Sequence, residues 1–237
     1  MDGGFHPARL VSRADAGGGL TLVTLEPSPA VVPSYVSPGQ YIEVRADEAT
    51  GYFVLAGAPG GRPWELIMRA GGGVSDVLLA APLGKAVEVT AAIGDGFPMD
   101  AVAGRPLVLA LSGTGIAAAR PLVRHRLAGG DAVRTLVFLG VRTQSELPLA
   151  GDRQAWDEAG VSVVLCLSQP AGREEAAGGR FVRGYVQDVL RARAEARSLG
   201  SFAGAPVFAV GVASMVEALR ALAPTLGIPG DRVHTNH

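Results

Sequence analysis

The residues Leu107-Val108-Leu109-Ala110-Leu111-Ser112-Gly113-Thr114-Gly115-Ile116-Ala117 contain the pattern that decides the fold. The apolar run 107–111 predicts a strand that is buried on both faces, as in a parallel sheet. The glycines that follow permit a tight turn, and residues 116–127 fit a helix. A strand, a glycine-rich turn and a helix in this order are typical of the first unit of a nucleotide-binding α/β domain.

The same turn is a candidate ligand site. The backbone N–H groups at a helix start are free and lie at the positive end of the helix dipole, where a pyrophosphate binds well. We therefore expect the turn to contact a ligand through Gly113, Thr114, Gly115 and Ile116. A pattern G-x-G can also form a strand–helix turn that binds nothing, but its place after the first strand favours a ligand.

The chain after this turn alternates between strands and helices. Strands are predicted at 134–140, 161–167 and 206–210, and helices at 154–159, 182–196 and 214–226. Such alternation indicates a doubly wound parallel sheet. We place the domain boundary near residue 101, so the α/β domain covers residues 102–237.

Residues 1–101 have a different character. Short runs rich in β-branched and aromatic residues occur at 20–26, 41–45, 52–56, 64–69 and 86–91, with Gly, Pro, Asp and Glu between them. This pattern predicts an antiparallel β-barrel or sandwich. One short helix is expected at 74–79, opening on Ser75.

Composition and single residues exclude several classes of protein. A net charge of −1 gives no reason to expect nucleic-acid binding. Cys166 is the only cysteine, which excludes an internal disulfide and a Cys-ligated cluster, and we expect it to serve in packing. The four histidines lack metal-ligand spacing. Neither a secretory signal nor a membrane span is visible, so we expect a cytoplasmic protein, or an organellar one if a transit peptide was removed.

Several segments occur in an order that resembles a known family. They are Pro38-Gly39-Gln40-Tyr41, Gly72-Gly73-Val74-Ser75, Ser112-Gly113-Thr114-Gly115-Ile116-Ala117, Gly140-Val141-Arg142-Thr143, Gly184-Tyr185-Val186-Gln187-Asp188, and Gly211 with Met215. Together they resemble the ferredoxin–NADP⁺ reductase superfamily, especially its small members without an iron–sulfur domain. The resemblance covers about residues 5–237 and implies a flavin-type barrel followed by a nicotinamide-nucleotide domain.

The resemblance implies particular roles for residues. The flavin pyrophosphate would be held by Gly72, Gly73, Val74 and Ser75, and the dinucleotide by the turn at 113–116. Arg142 matches a position near the dinucleotide. The pair Ser168-Gln169 stands where NADP-preferring members often have Ser-Arg, and the uncharged Gln169 favours NADH over NADPH.

The sequence departs from the family at three places. The flavin signature R-x-Y-S reads Gly51-Tyr52-Phe53-Val54 here and continues with Leu55 and Ala56, so a cation and two hydroxyl groups are missing. Val210, before Gly211, replaces a cysteine near the site of hydride transfer. At the C-terminus His237 stands where relatives often place an aromatic residue over the flavin. These segments remain the candidate flavin contacts.

The sequence therefore predicts a flavin-dependent oxidoreductase. Hydride would pass from NAD(P)H to FAD, and electrons would then go to a separate electron-transfer protein such as ferredoxin or to a small acceptor. No side chain is assigned as a catalytic acid or base. Two alternatives remain, namely a flavin-free nucleotide-binding or regulatory subunit and an enzyme of non-redox chemistry. Arg120, Arg124 and Arg126 are expected on a solvated helix face, and Trp64 and Trp156 in packing.

Overall fold

A computed structural model describes residues 4–170, 181–229 and 232–235 of the 237-residue chain. Its first sheet contains β1 His6–Gly17, β2 Leu20–Pro27, β3 Tyr41–Ala46, β4 Ala49–Val54, β5 Trp64–Met68 and β6 Ala86–Val89. The strands are antiparallel in the order β4-β3-β6-β1-β2-β5. A bridge between Leu55 and Leu66 connects the two edges, so the sheet closes on itself as predicted.

The second sheet is parallel. Its strands are β7 Leu107–Ser112, β8 Thr135–Val141, β9 Ser162–Leu167, β10 Phe181–Arg183, β11 Val207–Val210 and β12 Val233–His234. They lie in the order β10-β9-β8-β7-β11-β12, and the order reverses beside β7, the first strand of this sheet. The two-part fold class expected from the sequence is confirmed.

The helices are α1 Gly73–Ala80, α2 Met99–Val102, α3 Ile116–Ala128, α4 Ala150–Glu158, α5 Val186–Glu195 and α6 Ala213–Leu222. Helix α1 belongs to the first sheet's half of the chain and packs on β3 and β4. Arg13 of β1 donates hydrogen bonds to the carbonyl groups of Leu78 and Leu79, which lie near the C-terminal end of α1. This contact supplies donors to carbonyl groups that lack partners within the helix.

One sequence expectation for this fold was wrong, and one strand was missed. The helix predicted at 182–196 begins as strand β10, because Val182 pairs with Cys166 of β9 and Gly184 then takes a φ of 137° that no helix accommodates. Strand β1 was not predicted, because its pairing with β2 shifts register between Leu10 and Ser12, which breaks the period-two pattern.

The arginines of α3 also differ from expectation. Arg120 is 6% exposed and Arg126 is 1% exposed, whereas Arg124 lies at the surface. Arg120 donates to Glu65 of β5 at 2.8 Å and to Asp152 of α4 at 3.0 Å. The helix face toward the first sheet is therefore buried and ion-paired rather than solvated.

One of three buried hydrophobic clusters in the described residues contains side chains from both sheets. Phe97, which follows the first sheet, stacks on Phe208 of β11 with ring centroids 4.5 Å apart. Leu20 and Ile67 of the barrel belong to the same buried cluster as Leu109 of β7. Trp64 and Trp156 are 1% and 2% exposed, so both pack in the interior as predicted.

The tip of the β1–β2 hairpin makes a second contact between the halves. A side chain at Gly18 would lie 2.1 Å from the carbonyl oxygen of Glu146, so this position has room only for glycine. The backbone N–H of Leu149 donates to the carbonyl group of Ala16 at 2.6 Å. The hairpin therefore rests directly on the segment that follows β8.

Candidate functional site

Two neighbouring clefts open where the parallel strands end. Cleft 1 has a volume of about 510 Å³ and is lined mainly by the segments after β7, β8, β9, β10 and β11. Cleft 2, of about 410 Å³, lies between residues of β3 and β4 and the segments after β7 and β11. The two clefts share Ser112, Gly113 and Val212. This edge, beside the reversal of strand order, is where α/β sheets bind ligands.

The glycine-rich turn after β7 forms the floor of both clefts. Gly113 has a φ of 55°, and a Cβ atom added there would meet no atom within 4 Å, so the turn leaves open space above its backbone. Gly115 serves a different purpose, because a Cβ there would lie 2.2 Å from the carbonyl oxygen of Val210. One glycine admits a ligand and the other lets two strand ends approach each other.

Ser112 holds these two strand ends in register. Its Oγ accepts a hydrogen bond from the backbone N–H of Val212 at 3.2 Å. A Cβ on Gly211 would lie 2.1 Å from the same oxygen, so the contact requires glycine there. Met215 of α6 lies beside Gly211, is 3% exposed and lines cleft 1.

Cleft 1 carries a group of three charged side chains. Arg142, just after β8, contacts Glu146 at 2.7 Å through one terminal nitrogen and at 3.2 Å through Nε. This hydrogen bonding holds the pKa of Glu146 below its ordinary value, and Arg69 from the first sheet adds a smaller effect of the same sign. Two cations against one carboxylate leave the cleft wall net positive, which suits an anionic ligand.

Cleft 2 has an aromatic wall on the barrel side. Tyr41 and Tyr52 meet edge to face with ring centroids 5.9 Å apart, and Phe53 and Val54 complete this wall. Aromatic and aliphatic surfaces of this kind bind planar rings by stacking and apolar contact.

The second glycine-bearing helix start differs from the first. The backbone N–H groups of Gly71 and Gly72 donate to the two carboxylate oxygens of Asp76, at 3.0 and 2.9 Å. Asp76 lies in the first turn of α1, so the helix satisfies the amide groups before its own start. Among the residues that the structure describes as lining the two clefts, Gly72, Gly73, Val74 and Ser75 do not occur.

A side chain at Gly51 would meet the same helix. Its Cβ would lie 2.7 Å from Cγ1 of Val74, which is buried, and 3.4 Å from the ring of Phe53. The position at which the resemblance expects an arginine is therefore covered by α1 and leaves no room for a longer side chain.

The remaining candidate residues separate into four groups. Cleft 1 is lined by Gly113, Arg142, Ser168 and Met215. Cleft 2 is lined by Phe53, Val54, Gly113, Thr114, Gly115, Val210 and Gly211. Leu55, Ala56 and Ile116 are fully buried and line neither cleft. Gln169 is exposed and lines neither cleft, and His237 lies outside the described residues.

The sequence analysis did not assign several residues that line the clefts. Arg69 and Glu146 contribute charge to cleft 1, and Tyr185 contributes an exposed aromatic ring. Tyr41 and Tyr52 form the wall of cleft 2. Tyr41 and Tyr185 stand inside the quoted motifs and could have been proposed, whereas Arg69 reaches cleft 1 only because the two sheets pack together.

The described residues contain neither a metal-binding cluster nor a membrane-spanning helix. No group of three or more His, Cys, Asp or Glu among them could hold a metal ion. Within the same part of the chain, no helix combines the length and the apolar character needed to cross a membrane.

Comparison with solved structures identifies the architecture. The Amycolatopsis cytochrome P450 reductase GcoB matches with a TM-score of 0.82 and 25% identity, over 98% of this chain and 69% of that one. Ferredoxin-NADP⁺ reductase from Plasmodium falciparum matches with a TM-score of 0.74 and 12% identity, over 98% and 95% of the two chains. The chain has the ferredoxin–NADP⁺ reductase fold. The resemblance inferred from its motifs is thereby confirmed.

Sequence relatives agree with this reductase fold. The fruit protein pKIWI502 of Actinidia deliciosa is 27% identical over 231 residues, covering 90% of this chain and 69% of its own length. The ferredoxin–NAD(P)⁺ reductase component of the naphthalene 1,2-dioxygenase/salicylate 5-hydroxylase systems of a Ralstonia species is 28% identical over 212 residues. That match covers 86% of this chain but 61% of the reductase component. No protein-family model matches the chain.

Proposed function

We propose that this chain is an oxidoreductase in which NAD(P)H occupies cleft 1 and a flavin ring occupies cleft 2. The observation that carries this proposal is the shared boundary of the two clefts at Ser112, Gly113 and Val212. A nicotinamide that reaches this boundary from cleft 1 would lie against a planar ring in cleft 2. Such contact of two rings is the alignment that hydride transfer requires.

Cleft 1 suits a nicotinamide dinucleotide. The open space above Gly113 and the N–H groups at the start of α3 would receive the diphosphate. Arg69 and Arg142, which both line the cleft, would add positive charge. We propose NADH as the preferred form, because Gln169 carries no charge for a 2′-phosphate.

Cleft 2 suits the ring of a flavin. Tyr41, Tyr52 and Phe53 would contact the ring, and Thr114 and Gly211 would border it on the nicotinamide side. When bound, the flavin supplies hydride acceptance and the release of electrons to a further acceptor. The chain's own residues hold and orient the two rings and exclude water, so no side chain has to act as acid or base.

The acceptor would be a separate molecule. A reductase component that serves ferredoxin is among the sequence relatives. We therefore propose an electron-transfer protein such as ferredoxin, or a small oxidised substrate, as the acceptor. The only cysteine is Cys166, so the chain itself offers no Cys-ligated cluster.

The glycine of the turn provides the test. Gly113→Ala places a methyl group in the open space above the backbone, and we expect it to weaken NAD(P)H binding about tenfold, or about 1.4 kcal/mol. Gly130→Ala is the matched control, because Gly130 has a φ of 72°, also has no atom within 4 Å of an added Cβ, and is exposed. Binding is measured by titration calorimetry of the full chain. Equal affinities for the two variants would contradict the site.

A flavin-free nucleotide-binding or regulatory subunit is the second candidate. It is favoured by Asp76, which occupies the amide groups of Gly71 and Gly72, and by the absence of a cation at Gly51. Purification under native conditions separates the two candidates. A chain that binds riboflavin or FAD, and whose flavin is bleached by NADH without oxygen, supports the oxidoreductase. A chain that binds NADH and refuses every flavin supports the regulatory subunit.

A further inference from the structure

We propose that this chain holds a flavin by its ring alone and not by its phosphates, and that Asp76 is the residue that determines this specificity. This inference rests on the proposed function. Its consequence is that riboflavin, FMN and FAD bind with similar affinity. The flavin would then exchange with solution rather than stay permanently bound.

The first observation is the position of the Asp76 carboxylate. It accepts hydrogen bonds from Gly71 N–H at 3.0 Å and from Gly72 N–H at 2.9 Å, so each oxygen holds one donor. The resemblance to the ferredoxin–NADP⁺ reductase superfamily implies that the start of α1 would hold the flavin diphosphate. Here a carboxylate of the chain itself already occupies the donors that come before the helix.

The second observation concerns the charge around that start. A diphosphate that approached Gly72 would meet the negative carboxylate of Asp76, and like charges at close range repel. The counter-charge expected at position 51 is absent, because a glycine stands there and Val74 Cγ1 covers the space. Arg13 contacts α1 at Leu78 and Leu79, which lie near the opposite end of the helix.

The third observation separates the ring from the phosphates. Cleft 2 retains an aromatic wall of Tyr41, Tyr52 and Phe53. The start of α1 does not line it, whereas the turn 113–115 before α3 does. Ring recognition and diphosphate recognition therefore belong to different elements. At the second element, Asp76 occupies the N–H group of Gly72 and adds a negative charge. Removal of the diphosphate contact costs FAD its advantage over riboflavin without affecting the ring.

The test compares the equilibrium affinities of riboflavin, FMN and FAD for the full chain, measured by quenching of flavin fluorescence. We expect the three dissociation constants to agree within about threefold. An FAD affinity more than about tenfold above that of riboflavin would overturn the proposal while leaving the flavin function intact. If no flavin binds, including riboflavin, the proposed function itself fails.

Asp76→Asn tests the assigned residue. The amide has the same shape, keeps one acceptor oxygen and removes the negative charge, so we expect FAD to bind about tenfold more tightly and riboflavin to be unchanged. Asp188→Asn is the matched control, because Asp188 also lies in the first turn of a helix and does not line cleft 2. An unchanged ratio of FAD to riboflavin affinity in Asp76→Asn would remove Asp76 from the proposal. A change in thermal stability alone would not alter that ratio.

Discussion

Cys166 shows how the fold controls the chemistry of one residue. It lies in β9 and pairs with Gly140 of β8 and Val182 of β10. Cys166 is fully buried, although it borders cleft 1. Burial raises the pKa of its thiol from 9.0 to about 12. Because the thiolate is the reactive form, this cysteine is chemically quiet at neutral pH. Its role is packing, as the sequence predicted.

The raised pKa predicts the pH dependence of thiol labelling. In the native chain we expect the rate of alkylation at Cys166 to keep rising above about pH 10, whereas an ordinary thiol, with a pKa of about 8.5, is almost fully ionised by then. The urea-denatured chain is the control, and mass spectrometry measures the extent of labelling with time. A native rate that levels off at the same pH as in the denatured chain would contradict the raised pKa of this thiol.

Arg126 and Asp131 connect the segment between the two sheets to α3 through hydrogen bonds and an ion pair. Arg126 donates to the carbonyl groups of Val102 and Arg105, at 2.5 and 2.6 Å, and to Asp131 at 3.1 Å. Asp131 also accepts from Gly104 N–H at 2.8 Å. The hydrogen bond from Gly104, followed by the charges of Arg126 and Arg134, holds the pKa of Asp131 below its ordinary value.

Asp131→Asn should therefore destabilise the chain in a pH-dependent way. A carboxyl group whose folded pKa is depressed adds stability above its ordinary pKa of 3.8, and this stability disappears as the pH falls through the folded value. We expect a loss of about 3 kcal/mol in the free energy of unfolding at pH 7, because a buried ion pair is broken. The difference from wild type should shrink toward zero as the pH falls below 3.8.

Urea unfolding at several pH values measures the effect. Asp47→Asn is the control, because Asp47 pairs with Lys85 at 2.7 Å but is 62% exposed, and it should cost less than about 1 kcal/mol. A loss that is independent of pH would show that Asp131 acts through packing instead of charge.

Sequence periodicity predicted the order of strands and helices more completely than it predicted the residues that line the two clefts. Residues 107–112 have one strong local signal, since their apolar run and the glycine turn point to the same structure. By contrast, α4 begins at Ala150, several residues before the predicted position 154, because Leu149 adopts a left-handed φ of 53° that no helix-start pattern signals. The predicted strand 52–56 also ends early, at Val54.

Contacts between distant segments explain what the sequence could not supply. Arg69 reaches cleft 1 and Asp76 folds back on Gly71 only in the assembled structure. The burial of Arg120 depends on Glu65, which lies 55 positions away. A helical pattern of charges cannot reveal such partners, because solvated and ion-paired arginines look the same in sequence.

Arg120 connects the two halves of the molecule through ion pairs. Its side chain is 7% exposed and bridges Glu65 of the barrel to Asp152 of the α/β half. Arg124 reaches the same Glu65 oxygen at 3.5 Å from a site that is 42% exposed. Arg120 and Arg124 therefore allow the ion pair of a buried arginine to be compared with that of an exposed arginine on the same carboxylate, that of Glu65.

Arg120→Ala should lower the free energy of unfolding by about 3 kcal/mol, because Glu65 and Asp152 lose a buried partner. Arg124→Ala, the matched control, should lower it by less than about 1 kcal/mol, since exposed pairs contribute little. Urea unfolding followed by tryptophan fluorescence measures both. Equal losses in the two variants would contradict the role of Arg120 as the buried link.

The absence of a side chain at Gly18 has a consequence for ligand entry. The hairpin already rests on the carbonyl oxygen of Glu146, so the two halves are in contact beside cleft 1. The width of cleft 1 between Arg69 and the α/β half is therefore set before a ligand binds. A ligand would not need to draw the halves together, so no free energy of closure is subtracted from its affinity. The association rate of the ligand should then be set by its encounter with a preformed cleft, without a slow conformational change after binding.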